Sequence, residues 1–134
     1  MKVEKDLGEL NKPIPDFGEA VIELDFRDEN LPEFTPFDLL EVEFSASHKY
    51  MGDLIFYLES PEGKRIKFFT GRYSDGKSVT RKVTDLARRF EAEFGKVNFN
   101  GKWKLILKDV VRADSGVLNS FKMRVAPKIF VCKL

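Results

Sequence analysis

The sequence contains no glutamine, one cysteine, one histidine and no long apolar run, and these shortages exclude several classes of protein. The single cysteine, Cys132, cannot form an internal disulfide or build a cysteine-based metal site. The longest apolar run is residues 54–58, whereas a membrane-spanning helix needs about 20 apolar residues. The first ten residues alternate in charge and lack the apolar segment of a secretory signal peptide. The sequence therefore predicts neither a disulfide scaffold nor a transmembrane helix.

The remaining composition is typical of one globular domain. The chain has 134 residues, of which 43% are hydrophobic and 13 are phenylalanine, and this is enough to bury a real core. Lysine and glutamate are abundant while glutamine is absent, a bias shown by thermophilic proteins that are rich in ion pairs. We therefore expect a thermophilic source.

Charge is divided unevenly along the chain. Residues 1–60 carry 15 acidic and 5 basic side chains, and residues 61–134 carry 7 acidic and 18 basic ones. A basic half can mark nucleic-acid binding, but it can also pair with an acidic half across neighbouring strands. The basic residues stand singly among apolar ones and form no cluster. This favours strand pairing, and we do not expect nucleic-acid binding.

Alternation of apolar and polar residues with period two is the main pattern, and it predicts strands with one buried face. A Ser-Pro-Glu-Gly turn at 60–63 joins two of these segments into a hairpin. Six or more short strands with turn signals between them predict an all-β fold, either a β-sandwich or a jelly roll. The predicted strands are 22–26, 40–46, 54–58, 65–70, 103–108 and 121–125.

One segment has a helical period instead. Apolar residues recur every four positions over 84–94, Thr84 is suited to cap the start, and Gly95 is suited to end the helix. The proline-rich stretch 31–37 predicts a loop or an edge, because proline cannot lie in a central strand. The stretch 71–78 predicts a polar loop.

No enzyme signature is present. His48 is the only candidate base for a Ser-His-Asp mechanism, and no G-x-S-x-G elbow accompanies it. A lone histidine at a strand end is typically a hydrogen-bonded structural residue. Cys132 lies near the C-terminus without a nearby base and is interpreted as a buried or incidental thiol. We therefore expect a chain without catalytic residues.

Aspartates at predicted strand ends are the candidate metal ligands. Asp53, Asp109 and Asp114 each follow or precede a predicted strand. Calcium takes about 6–8 oxygen ligands, and loops between strands can supply them. The alternative is that these aspartates cap turns through hydrogen bonds to nearby backbone N–H groups. Both interpretations stay open at this stage.

Five sequence segments resemble the P domain, also called the Homo B domain, of kexin-like and furin-like proprotein convertases and of some prokaryotic subtilisin-like proteases. They occur in the family's order over residues 14–126, and Gly-Asp-Leu at 52–54 with Ser-Pro-Glu-Gly at 60–63 is the most specific part. Trp103, in the strand that resembles the family's G-x-W strand, is predicted to lie in the core. The segments are 14–16, 47–54, 58–64, 101–105 and 109–121.

The resemblance implies a β-sandwich jelly roll, similar to galactose-binding domains, with one short helix in a connecting loop. It divides the chain into an N-terminal arm at 1–13, the sandwich at 14–126, and a C-terminal tail or extra strand at 127–134. Phe121 stands where the family commonly has tryptophan. The family's central loop is rich in Asp, Asn and Gly, whereas residues 72–89 here are basic and predicted to be helical.

In this family the domain does not cut peptides but packs on a protease and supports its folding and stability. The resemblance therefore implies an accessory module for a subtilisin-like serine protease, with Asp53, Asp109 and Asp114 as candidate calcium ligands. The alternative function is a free-standing binding module for a glycan or a protein surface. The expected location is extracellular for a fragment of a secreted protease and cytoplasmic for a complete chain.

Overall fold

The computed structural model describes residues 2–29, 31, 37–73 and 76–127. Two predicted segments, the centre of the proline-rich loop at 32–36 and the tail at 128–134 with Cys132, lie outside the described residues. Short 3-10 turns occur at Arg27–Glu29, Met51–Asp53 and Gly71–Tyr73. The other elements are β1 (Val3–Ile14), β2 (Glu19–Asp25), β3 (Phe37–His48), β4 (Leu54–Glu59), β5 (Arg65–Thr70), β6 (Ser78–Val83), α1 (Leu86–Phe94), β7 (Lys102–Asp109) and β8 (Gly116–Pro127).

The strands form two antiparallel four-stranded sheets that pack as a sandwich. The strand order is β1-β8-β3-β6 in one sheet and β2-β7-β4-β5 in the other. Every strand pair that the structure describes joins a strand from the first 60 residues to one from the remainder. The predicted β-sandwich with one short helix is confirmed.

All six predicted strands are present, and the predicted hairpin turn has the expected geometry. Gly63 has a φ of 85°, which favours glycine, and its N–H donates to the Ser60 carbonyl at 2.9 Å. The Ser60 N–H donates to the Lys64 carbonyl at 2.8 Å and closes the turn between β4 and β5.

The basic segment 72–89 is not helical throughout, and this prediction is wrong. Ser78–Val83 forms β6, an edge strand paired with β3, and only Leu86–Phe94 is helical. The apolar residues Val79 and Val83 are four positions apart, a spacing that fits one turn of helix as well as a strand. The β-branched side chains in this stretch and the free edge of β3 decide for the strand.

Residues predicted as an N-terminal arm mostly form β1, which pairs with β8 from Val3 to Ile14. The alternation in this strand is interrupted at Gly8 and Asn11, both of which have positive φ. Register shifts between paired residues occur at the same places. Because these irregularities break the period of two, the sequence pattern alone does not reveal the strand.

The helix begins one residue later than predicted. Asp85, not Thr84, occupies the N-cap position, and its side chain makes no capping hydrogen bond. The end is as predicted, since Gly95 has a φ of 71° and its N–H donates to the Glu91 carbonyl at 2.9 Å. No helix among the described residues is long and apolar enough to cross a membrane.

The uneven charge is used for pairing across strands, as predicted. On β2 and β7, Glu23 lies opposite Lys104 and Asp25 lies opposite Lys102. The largest group of ion pairs among the described residues surrounds Arg124 on β8. Its guanidinium nitrogens lie 2.8 Å from a Glu41 oxygen, 3.2 Å from a Glu43 oxygen and 3.1 Å from a Glu4 oxygen. Glu41 is only 7% exposed, so Arg124 compensates a buried carboxylate.

The core between the sheets is rich in aromatic residues. Trp103 is fully buried, as predicted, and its indole N–H donates to the Phe99 carbonyl at 3.0 Å. Phe90 of α1 packs edge-on against Trp103, with ring centroids 5.7 Å apart, which ties the helix to the core. Phe121 is 1% exposed, so phenylalanine fills a core position where the family commonly has tryptophan.

Candidate functional site

Three loops meet at one end of the sandwich, and we call residues 15–18, 49–53 and 110–115 the loop end. Backbone hydrogen bonds join them, from the Asp109 N–H to the Gly18 carbonyl and from the Val110 N–H to the Asp53 carbonyl, both at 2.9 Å. The Asp16 carboxylate accepts the Ala113 N–H at 3.0 Å. The loop end is therefore a connected surface rather than three independent turns.

A buried histidine and aspartate lie directly beneath the loop end. His48 Nε2 is 2.8 Å from Asp109 Oδ2 and 3.0 Å from the Asp114 carbonyl oxygen. The Tyr50 N–H donates to His48 Nδ1 at 2.8 Å. Because Nδ1 accepts a hydrogen bond, the ring proton is on Nε2 and points towards Asp109. The predicted role of His48 as a hydrogen-bonded structural residue is confirmed.

The ring of His48 fits because β8 begins with a glycine. A Cβ atom on Gly116 would lie 2.8 Å from His48 Cδ2 and 3.1 Å from the Ser47 carbonyl oxygen. Any larger residue at position 116 would displace the ring or the start of β8. The close packing thus holds the imidazole in the orientation in which it bonds Asp109.

Carboxylates converge on this histidine. Asp109 uses its second oxygen, Oδ1, to accept the Val111 N–H at 3.1 Å. Asp53 is half-buried beside it. Burial raises the pKa of Asp53, and the neighbouring carboxylates of Asp109 and Asp114 raise it further. The site therefore concentrates negative charge in a partly dehydrated place.

His48, Asp53 and Asp109 form a group that could hold a metal ion, with one ligand atom from each within 4.8 Å of the others. The structure thus brings together two of the three predicted candidates, Asp53 and Asp109. Asp114 lies beside them, and its backbone carbonyl bonds His48. The metal-ligand prediction did not include His48 or Asp16, although both occur in the family-like segments.

The loop end carries most of the large apolar side chains that are exposed in the described part of the chain. Among the described residues, five large hydrophobic side chains are exposed, and four of them lie in this place. Phe17 is 53% exposed and has a φ of 46°, a conformation that favours glycine. The Arg112 guanidinium lies 4.7 Å from the centre of the Phe17 ring. We call the four residues the loop-end patch: Phe17, Tyr50, Val110 and Val111.

A family model for the proprotein convertase P-domain matches residues 37–125. The chain belongs to this family. The P-domain family is an accessory-domain family, and its members are not themselves the catalytic part of a protease. In this P domain both nitrogens of His48 are engaged in hydrogen bonds, so the buried pair with Asp109 holds structure rather than a base ready to accept a proton.

Relatives of this P domain are parts of larger proteins. It is 30% identical over 84 residues to the transglutaminase-activating metalloprotease of Streptomyces mobaraensis, and the match spans 63% of this chain and 10% of that protein. The crystal structure of a serine protease of Aeromonas sobria matches 93% of this chain and 26% of its own, at 16% identity and a TM-score of 0.53. A xylan-binding module matches 96% of this chain and 100% of its own, at 10% identity and a TM-score of 0.51. The two structural matches show a shared fold.

Proposed function

We propose that this P domain docks on a subtilisin-like serine protease and stabilises it, and that the loop-end patch is the docking surface. The observation that carries the proposal is the concentration of exposed apolar side chains at the loop end. Exposed apolar patches on soluble domains mark interaction sites. Family membership supports a protease as the partner.

The patch is built to keep its shape. Val110 and Val111 follow β7 directly, and the N–H groups of both are held by Asp53 and Asp109. A partner would therefore meet a surface that is ordered before binding, which lowers the entropy cost of association. The buried pair of His48 and Asp109 serves the function indirectly, because it positions the loops.

A charged side chain introduced into the loop-end patch is expected to weaken docking strongly. We expect Val111→Asp to weaken binding to a co-expressed subtilisin-like protease of the source organism by more than about tenfold, because it places a charge where apolar groups are buried. The measurement is isothermal titration calorimetry, together with the half-life of the protease at elevated temperature with and without the P domain.

Val21→Asp is the matched control for Val111→Asp. Val21 is 43% exposed on β2, Val111 is 47% exposed, and Val21 lies outside the loop-end patch. The control variant should bind and protect the protease as the parent chain does. Equal losses in the two variants, or no binding by the parent chain, would remove the patch from the proposal.

We also propose calcium as the ion for the carboxylate group at the loop end. The oxygen atoms of Asp53, Asp109 and Asp114 suit a hard cation, and each Asp109 oxygen keeps a lone pair beyond its one hydrogen bond. In this proposal His48 is not a ligand, because its Nε2 proton points towards Asp109 and its Nδ1 accepts a hydrogen bond from the Tyr50 N–H. It would orient Asp109 from behind.

Calcium is expected to stabilise the fold through Asp53. A ligand that binds only the native state at about 100 times its Kd adds about 2.7 kcal/mol, which corresponds to a rise in Tm on the order of 10 °C for a domain of this size. We expect such a rise between EDTA and millimolar calcium, measured by differential scanning calorimetry. Magnesium, which prefers strict octahedral geometry, should have a smaller effect.

Asp53→Asn should abolish the rise in Tm with calcium. The domain should stay folded in EDTA, because the substitution removes the repulsion between the Asp53 carboxylate and its neighbouring carboxylates. Asp85→Asn, at the N-cap of α1 and away from the loop end, should keep the full effect. If the parent chain shows no rise in Tm, the aspartates are turn caps, as the hydrogen bond from the Val111 N–H to the Asp109 carboxylate illustrates.

A further inference from the structure

A trough of about 280 Å³ lies on the outer face of the sheet β1-β8-β3-β6, apart from the loop end. Its floor crosses all four strands along one row of paired residues. Glu9 pairs with Ser120, Ser120 pairs with Ser45, and Ser45 pairs with Thr80. Three neighbouring hydroxyls therefore stand in line, and the Ser45 and Thr80 oxygens are 3.0 Å apart.

The trough exists because the neighbouring row has long side chains. In register order that row is Asp6, Lys122, Glu43 and Lys82, which rise beside the short hydroxyls. Gly8 contributes no side chain where β1 shifts its register. The concave shape is thus fixed by backbone pairing and does not depend on a mobile loop.

The lining is polar and carries more negative than positive charge. Carboxylates of Asp6, Glu9 and Glu43 face the trough together with one ammonium group, that of Lys122. Within the described part of the chain, Glu9 has no ion-pair partner. Carboxylates accept hydrogen bonds from adjacent hydroxyl groups, and serine and threonine hydroxyls both donate and accept. The excess of carboxylates disfavours an anionic ligand.

Among its described lining residues, the trough offers a ligand no exposed aromatic ring. Phe44 and Phe121 border it from beneath the sheet, but each is only 1% exposed. A peptide ligand would need pockets for its side chains, whereas a ligand recognised through hydroxyl groups would not. The volume is close to the lower limit of about 300 Å³ for small-molecule sites, which suits a ligand of one or two sugar rings.

We propose that this trough binds a neutral saccharide through the hydroxyl row and the carboxylates of Glu9 and Glu43. This function is additional to protease docking and uses a different surface. Recognition is by hydrogen bonds, since no exposed aromatic side chain among the described residues lines the trough. We therefore expect affinities with a Kd near 1 mM, the range of weak binding.

The test is a titration of the ¹⁵N-labelled chain, followed by NMR, with xylobiose, cellobiose and lactose in turn. Saturable shifts should appear at the amides of Ser45, Thr80 and Ser120 for at least one of the three. Glucuronate, which adds a negative charge to a similar ring, should produce no saturable shift at these amides. The experiment needs no protease, so its outcome is separate from that of the docking proposal.

Two variants connect the shifts to the trough. Glu9→Gln removes a carboxylate charge without breaking an ion pair, and Ser45→Ala removes the central hydroxyl, so each should weaken saccharide binding by about fivefold or more. Glu91→Gln, on the exposed face of α1, should leave binding unchanged. The proposal is overturned if no saccharide shifts the trough amides, if glucuronate binds equally well, or if the shifts centre on Phe17 and Tyr50 of the loop end.

Discussion

His48→Phe is expected to lower the free energy of unfolding by about 3–5 kcal/mol, because it leaves the buried Asp109 carboxylate without its main partner. The phenyl ring is larger than imidazole, so no cavity forms, and crowding near Gly116 adds to the loss of the hydrogen bonds. The Tyr50 N–H and the Asp114 carbonyl lose their partner in the same substitution. Equilibrium unfolding in guanidinium chloride measures the loss.

A double variant separates the loss of the hydrogen bond between His48 and Asp109 from an effect of poor packing. In His48→Phe/Asp109→Leu no buried charge remains, so the loss should be smaller than the sum of the two single losses by at least about 1 kcal/mol. The free energy of unfolding of His48→Gln, which keeps an N–H donor, should lie between those of the parent chain and His48→Phe. Strictly additive losses would show that the hydrogen bond between the two side chains contributes little.

Arg124→Gln is the second variant with a large expected effect, a loss of stability several times larger than that from breaking an exposed ion pair. Arg124 bridges strands β1 and β3 through Glu4, Glu41 and Glu43, and its side chain is only 17% exposed. The hydrogen bond from Arg124 to the Glu41 carboxylate raises the pKa of Arg124, because the carboxylate stabilises the charged guanidinium. Among the described residues, glutamine leaves the buried Glu41 with one longer ion pair, to Lys82, whose Nζ lies 3.9 Å away.

Lys102→Gln supplies the control for Arg124→Gln. Lys102 Nζ lies 3.7 Å from Glu23, and both side chains are about half exposed. Exposed pairs of this kind contribute about 0–1 kcal/mol and weaken in salt. Arg124→Gln should therefore cost several times more than Lys102→Gln at both low and high salt. Similar losses for the two variants would contradict the view that burial of Glu41 makes the difference.

The fold could be predicted from the sequence where a strand has one buried face. In β3 and β7 one face is buried, so apolar and polar residues alternate along the strand, and this alternation allowed both strands to be predicted. β1 is interrupted at Gly8 and Asn11, and Val79 is the one buried side chain of β6. The edge strands of the other sheet, β2 and β5, keep their alternation and were predicted. The alternation of β1 and β6 is therefore weak, and pairing with β8 and β3 adds to the local preference for a strand.

The candidate site was predicted in part. Asp53 and Asp109 were identified because they stand at strand ends, but the sequence does not say which strand ends meet. That is decided by the order β2-β7-β4-β5, which places the end of β7 beside the start of β4. The hydroxyl row was not foreseen, because Ser45, Thr80 and Ser120 become neighbours only through register.

The pairing of every first-half strand with a second-half strand has a consequence for biosynthesis. While the first 60 residues leave the ribosome, none of the six strand pairs can form, since each lacks its partner. This nascent segment has 15 acidic and 5 basic side chains, and its net negative charge opposes premature collapse and association between chains. Sheet formation starts only when the basic half emerges, and β1 waits for β8, which is the last strand that the structure describes.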